Sequence, residues 1–105
     1  MIVTTGNEVA GQNITAYLGV VRGIVVRSPS LSQGFVGGLK QLVGGNIEAS
    51  AEVCEHARAE AYERMVQHAA ELRADAVIGM RYDATEFVQG ATEVLAYGTA
   101  LKLGA

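Results

Sequence analysis

A soft divalent metal needs converging Cys, His or carboxylate side chains, four of them in a structural zinc site. The chain's whole supply of Cys and His is Cys54, His56 and His68, with no Cys-x-x-Cys spacing. All three fall in one helix-like stretch. At about 100° per residue, Cys54 and His56 point to nearly opposite sides of a helix, so they cannot chelate one ion within a subunit. His68 lies more than two turns beyond His56. His56 and Glu60 are spaced to share an ion, with Glu52 or Glu63 nearby. The same residues also read as a solvated face of ordinary i,i+4 pairs, which is the favoured reading. Copies of one residue meeting on a symmetry axis would be another route to a metal site.

The arginines suggest anion chemistry. By helical angle Arg58 falls on the apolar face beside Cys54, Ala61 and Met65. A guanidinium there needs a carboxylate or carbonyl partner, for which Asp83 and Glu86 are candidates. Alternatively it anchors an anionic ligand in a cleft between subunits. Arg22 and Arg81 each interrupt an apolar strand. Sharing a sheet face with Asp83 and Glu93, they would form a cross-strand network that registers an interface or holds a carboxylate or phosphate. Interface registration is the favoured role. Catalytic signatures are missing: there is no nucleophile elbow, no His-Glu-x-x-His and no supported Cys–His pair. The glycine-rich run Gly34–Lys40 lacks the spacing of a phosphate loop, and no dinucleotide fingerprint appears.

The elements that must position these residues are legible. Met1–Thr4 is a short β-branched start, and Gly6-Asn7 signals a turn. Ile14–Arg27 is a long Val- and Ile-rich strand interrupted by Gly19 and Gly23 and stopped at Ser28-Pro29. Phe35, Leu39, Leu42 and Val43 have the spacing of a short helix that Gly44-Gly45 would end. Ile47–Arg73 reads as one long amphipathic helix, capped by Asn46 or Ser50, with Glu48 and Glu52 near its start. Its apolar face is Cys54, Ala57, Ala61, Met65, Ala69 and Leu72. On that face Cys54 reads as a small buried hydrophobe. Two strands follow, Ala76–Val88 and Ala91–Leu103, joined at Gln89-Gly90 as a hairpin. The first places Ile78, Met80 and Tyr82 on one side, with Gly79, Arg81 and Asp83 on the other. The second sets Leu95, Tyr97 and Leu101 against Val94, Gly98 and Ala100. The expected fold is α+β, a small, mainly antiparallel sheet crossed by one long helix, in a single domain spanning residues 1–105.

Composition sets the remaining bounds. Of 105 residues, 50% are hydrophobic and 18% charged, more apolar than a typical soluble domain. No apolar run reaches bilayer length, so the surplus is expected at subunit interfaces. The net charge of −3 and scattered basic residues argue against nucleic acid. A single cysteine allows no intrachain disulfide, and the start resembles no signal peptide. The expected compartment is therefore the cytoplasm.

Several stretches together resemble the YbjQ-like family, whose label is heavy-metal binding and whose function is poorly defined. They are Tyr17-Leu-Gly-Val-Val-Arg-Gly-Ile-Val-Val26, Val43-Gly-Gly45, Ala57-Arg-Ala-Glu-Ala61, Ala74-Asp-Ala-Val-Ile-Gly-Met-Arg-Tyr-Asp83 and Tyr97-Gly-Thr-Ala-Leu-Lys102. They occur in the family's order over nearly the whole chain. The resemblance implies a subunit shaped like that of dodecin, assembled into a ring that is commonly a pentamer. Its members often carry a basic residue after the double glycine, where this chain has Asn46. The reading that follows is a homo-oligomeric binding or structural module with ligand sites between subunits. The alternatives are a metal-binding protein and a small-molecule enzyme with an intersubunit site. Any cofactor is unknown beyond a divalent metal. The partners expected are further copies of the chain and a small anionic ligand or metal, with no membrane.

Overall fold

The computed structural model describes residues 1–27 and 47–104. Four strands and one helix follow in chain order: β1 (Ile2–Val3), β2 (Asn13–Arg27), α1 (Ile47–Glu71), β3 (Ala76–Val88) and β4 (Ala91–Gly104). The sheet order is β1-β3-β4-β2, with β1 parallel to β3 and the other pairings antiparallel. The expected α+β fold, one helix on a mainly antiparallel sheet, is what forms. The Asn46 cap and the short helix read at 35–43 lie outside the described residues.

The stretch that becomes α1 contains neither Gly nor Pro and is rich in Ala and Glu, a composition that favours helix. It ends where Arg73 takes a left-handed φ of 59°. There the Ala74 N–H donates to Ala69 O and the Arg73 N–H to Ala70 O, capping the last carbonyls. The buried stripe of α1 is Ala57, Ala61, Met65 and Ala69, the last three of which pack in one core with Val21 and Val25 of β2, Val77 and Met80 of β3, and Ala96 and Ala100 of β4. Small residues let the helix lie close to the sheet. The closest approach is at Gly23, where an added Cβ would overlap Ala61 O and Met65 N and come within 2.8 Å of Arg64 Cβ. The helix therefore sits down on β2 and stands further from β3.

Two expectations need correction. Cys54 is exposed, because the buried stripe begins only at Ala57. Leu72, beyond the helix end, is 40% exposed. The alternation along β3 also changes face part-way. Gly79 has a φ of +61° and the register shifts between Ile78 and Arg81, so one extra residue is accommodated there as a bulge. Ile78 consequently joins Ala76 and Leu101 in a second cluster on the helix-free side, while Met80 enters the helix-side core. The loop after β1 fits this bulge: Gly79 N–H donates to Gly6 O and Met80 N–H to Thr4 O.

Candidate functional site

Cross-strand register brings the strand arginines together on the helix-free face. Tyr97 of β4 pairs with Arg22 of β2 on one side and Arg81 of β3 on the other. In the next row on that face, Leu95 lies between Ile24 and Asp83. In the row after, Glu93 lies between Val26 and Thr85. The four charged residues share a face, the condition set for a cross-strand network, but no ion pair joins them. Arg81 instead donates through Nη1 to Thr5 O at 2.9 Å and Met80 O at 2.8 Å, pinning the β1–β3 corner. Asp83 accepts from the Ala84 N–H at 2.9 Å. Val9 of the loop packs over the second cluster at one end of this face, with Ile14 and Leu103 beside it. Further along, Val20 is 70% exposed, and Val26 and Tyr97 are also exposed.

On the helix side, Arg58 is exposed rather than buried. It lies one residue past Ala57, so it swings toward β3, where the helix stands off the sheet. Neither Asp83 nor Glu86 pairs with it. Its guanidinium lies over the ring of Tyr82, 5.8 Å from the centroid, a cation–π contact. These two residues, with Glu55, Ala59 and Tyr62, line a cleft of about 330 Å³. Removal of the Tyr82 phenol from water pushes its pKa up, and the neighbouring Tyr62 adds to the shift.

Glu60 is the most engaged side chain on α1. Its Oε2 accepts from Arg27 at the end of β2, and its Oε1 accepts from Arg64 at 3.0 Å. The hydrogen bond from Arg27 is the main reason its carboxyl titrates below its ordinary value, despite some desolvation. Arg64 also donates through Nη1 to Ile24 O at 2.7 Å, and His68 Nδ1 accepts the Arg22 N–H at 3.1 Å. Both backbone groups lie on the outer edge of β2. Two helix side chains thus cover part of an edge strand that would otherwise offer itself for pairing. The Glu60–Arg64 spacing was legible as an i,i+4 pair. Arg27 and the His68 bond carried no sequence signal, because both depend on how α1 crosses β2.

The donor set for a metal can now be judged. His56, Glu60 and Glu63 line a shallow concavity of about 400 Å³. Both oxygens of Glu60 face guanidinium groups, so a cation would have to displace two arginines from it. His68 uses Nδ1 on the backbone, and Cys54 stands apart. Among the described residues no three His, Cys, Asp or Glu side chains converge in the manner of a metal site. The described residues of one chain do not fit a bound heavy metal.

A family model described as "Putative heavy-metal-binding", the YbjQ family, matches residues 1–104. The chain belongs to this family. A UPF0145 protein of Legionella pneumophila is 58% identical over 101 residues, 96% of each chain. One from Chromobacterium violaceum is 61% identical over 97% of this chain and 87% of its own length. A crystal structure of a protein of unknown function from Pediococcus pentosaceus, of the DUF74 family, matches with a TM-score of 0.63 at 21% identity. The match covers 99% of this chain and 98% of that one. That likeness establishes the fold alone. The YbjQ family membership confirms the resemblance read from the residues, but its metal-binding description finds no ligand set among the described residues of a single chain. No helix among those residues is long and apolar enough to cross a membrane.

Proposed function

We propose that this YbjQ-family chain is a cytoplasmic subunit of a homo-oligomeric module, a pentameric ring by family resemblance, with ligand sites between subunits. The observation that carries the proposal is the helix-free sheet face. Val20, Val26 and Tyr97 are exposed there, among Arg22, Arg81, Asp83 and Glu93. Apolar surface of this kind on a soluble domain marks an interaction site. In a ring each contact joins two different surfaces, so this face would be covered by another surface of the next subunit, and its charges of both signs would give that contact its register. In this arrangement the arginines register the contact, and an anion between subunits would bind to the same groups.

Light scattering on eluting protein tests the assembly. The expected mass is five times the 11.0 kDa subunit. Introducing Asp at both Val20 and Tyr97 is expected to lower the mass to that of a monomer with an unchanged circular dichroism spectrum. A wild-type monomer at micromolar concentration would overturn the proposal. An assembly untouched by the double change would move the interface off this face.

The metal-binding reading is favoured by the family description alone. Metal analysis of untagged protein, before and after His56→Ala and Cys54→Ala, decides it. Stoichiometric metal lost on either change would supply the ligand that the fold of one subunit does not reveal. Among the described residues no nucleophile is paired with a base, so an enzymatic reading has no observation behind it.

A further inference from the structure

The cleft beside Arg58 is formed within one subunit, on the helix side of the sheet, and owes nothing to the assembly proposed above. Its origin is the tilt of α1. The row of residues beneath the helix is Gly23, Ala96 and Tyr82, in the order β2, β4, β3. Gly23 and Ala96 let the helix descend on the β2 side. On the β3 side the gap is faced by Tyr82, with Arg58 above it and Tyr62 beside it. The base of Tyr62 packs against the core, so that wall is fixed. Ala59 contributes no bulk.

Three features of this cleft define what it would hold. Among the described residues Arg58 makes no ion pair, so its guanidinium is available to an anion while it stays within cation–π range of Tyr82. The two aromatic rings offer flat apolar surface, and the phenol of Tyr82, neutral near pH 7 as any tyrosine is, does not repel an anion. Glu55 places a carboxylate on the cleft wall, which disfavours ligands carrying more than one negative charge. About 330 Å³ is at the small end of ligand pockets and admits a single ring with a short acidic substituent rather than a nucleotide.

The geometry points to a binding site for a small aromatic monocarboxylate, its carboxylate on Arg58 and its ring against Tyr82 and Tyr62. Guanidinium and carboxylate match as a planar, two-pronged pair. Stacking beside a cation–π pair adds attraction that a simple aliphatic acid cannot draw on.

The test is a nuclear magnetic resonance titration of the full chain with sodium benzoate, sodium acetate and benzamide. Benzoate is expected to shift the Arg58 side-chain N–H and the amides around Glu55, Tyr62 and Tyr82, saturably, and to bind at least tenfold tighter than either control. Arg58→Ala is expected to weaken benzoate at least tenfold. Tyr82→Leu is expected to weaken it several-fold, whereas Tyr82→Phe keeps it within about twofold. Arg58 is exposed, so its replacement leaves the fold intact, and Arg58→Lys, which keeps the charge without the planar fork, gives an intermediate loss. Acetate binding as well as benzoate would reduce the site to a charge. Benzamide binding as well would reduce it to an apolar surface. Either result, or shifts scattered away from the cleft, or an unaffected Arg58→Ala variant, overturns the assignment.

Discussion

Replacing Gly23 with Ala should be among the most damaging single-methyl additions available in this protein. The new Cβ would overlap the backbone at Ala61 O and Met65 N, and would lie 2.8 Å from Arg64 Cβ. Ordinary contact begins near 3.4 Å, so even the least severe of these requires the helix to retreat by more than half an ångström. A gap of about 0.5–1 Å forfeits a quarter to a half of the dispersion energy of each contact it opens. The retreat would loosen Ala57, Ala61, Met65 and Ala69 together, since all four lie on the buried stripe. Overpacking of a core costs about 1–3 kcal/mol, and the clash with backbone rather than a mobile side chain puts this case at about 3 kcal/mol. For a domain of this size that corresponds to a melting temperature lower by about 10–20 °C. Urea and thermal unfolding followed by circular dichroism measure it. A Gly23→Ala variant within about 0.5 kcal/mol of the parent would refute the claim that Gly23 sets the helix–sheet distance.

The Arg27–Glu60–Arg64 cluster should give a pH-dependent contribution to stability. The folded carboxyl titrates below its ordinary value, so the contribution is present above the usual carboxylate range and disappears as the pH falls through the lowered value. Because the groups are partly exposed, a double-mutant cycle between Arg27→Ala and Glu60→Gln at neutral pH should return only about 0.3–1 kcal/mol of coupling, and less in high salt. At the free edge of β2, His68→Ala should expose the Arg22 amide. Its exchange rate with solvent is expected to rise about fivefold for a lost bond of about 1 kcal/mol, with little change at residues bonded to β4.

The fold was legible where local pattern and final environment agree. The long helix, the terminal hairpin and the glycine-punctuated strand all follow from runs whose period or composition suits one structure. The site was less legible. Arg58 was assigned to the buried face by angle, yet burial depends on how far the helix stands from the sheet, and that is set by Gly23 in another element. Ile78 and Met80 looked like partners on one side of a strand until the left-handed Gly79 separated them. Tyr82 gained its place beneath Arg58 through the same shift. The register that puts Arg22, Tyr97 and Arg81 in one row joins three strands, and nothing local to any one of them encodes it.

The strand order β1-β3-β4-β2 also bears on how the chain reaches this state. The helix and the β3–β4 hairpin are made from consecutive residues and can form without closing a large loop. The N-terminal strands cannot, because β2 must find β4 across most of the chain, as in the pairing of Asn13 with Gly104. Loop closure of that kind precedes any reward from contact and slows folding relative to helical domains. The late event is then the seating of β2 between β4 and the underside of α1, where Gly23 must fit against Ala61. A residue that works in the finished protein as a spacer would act during folding as a gate, and the Gly23→Ala variant should fold more slowly as well as melt earlier.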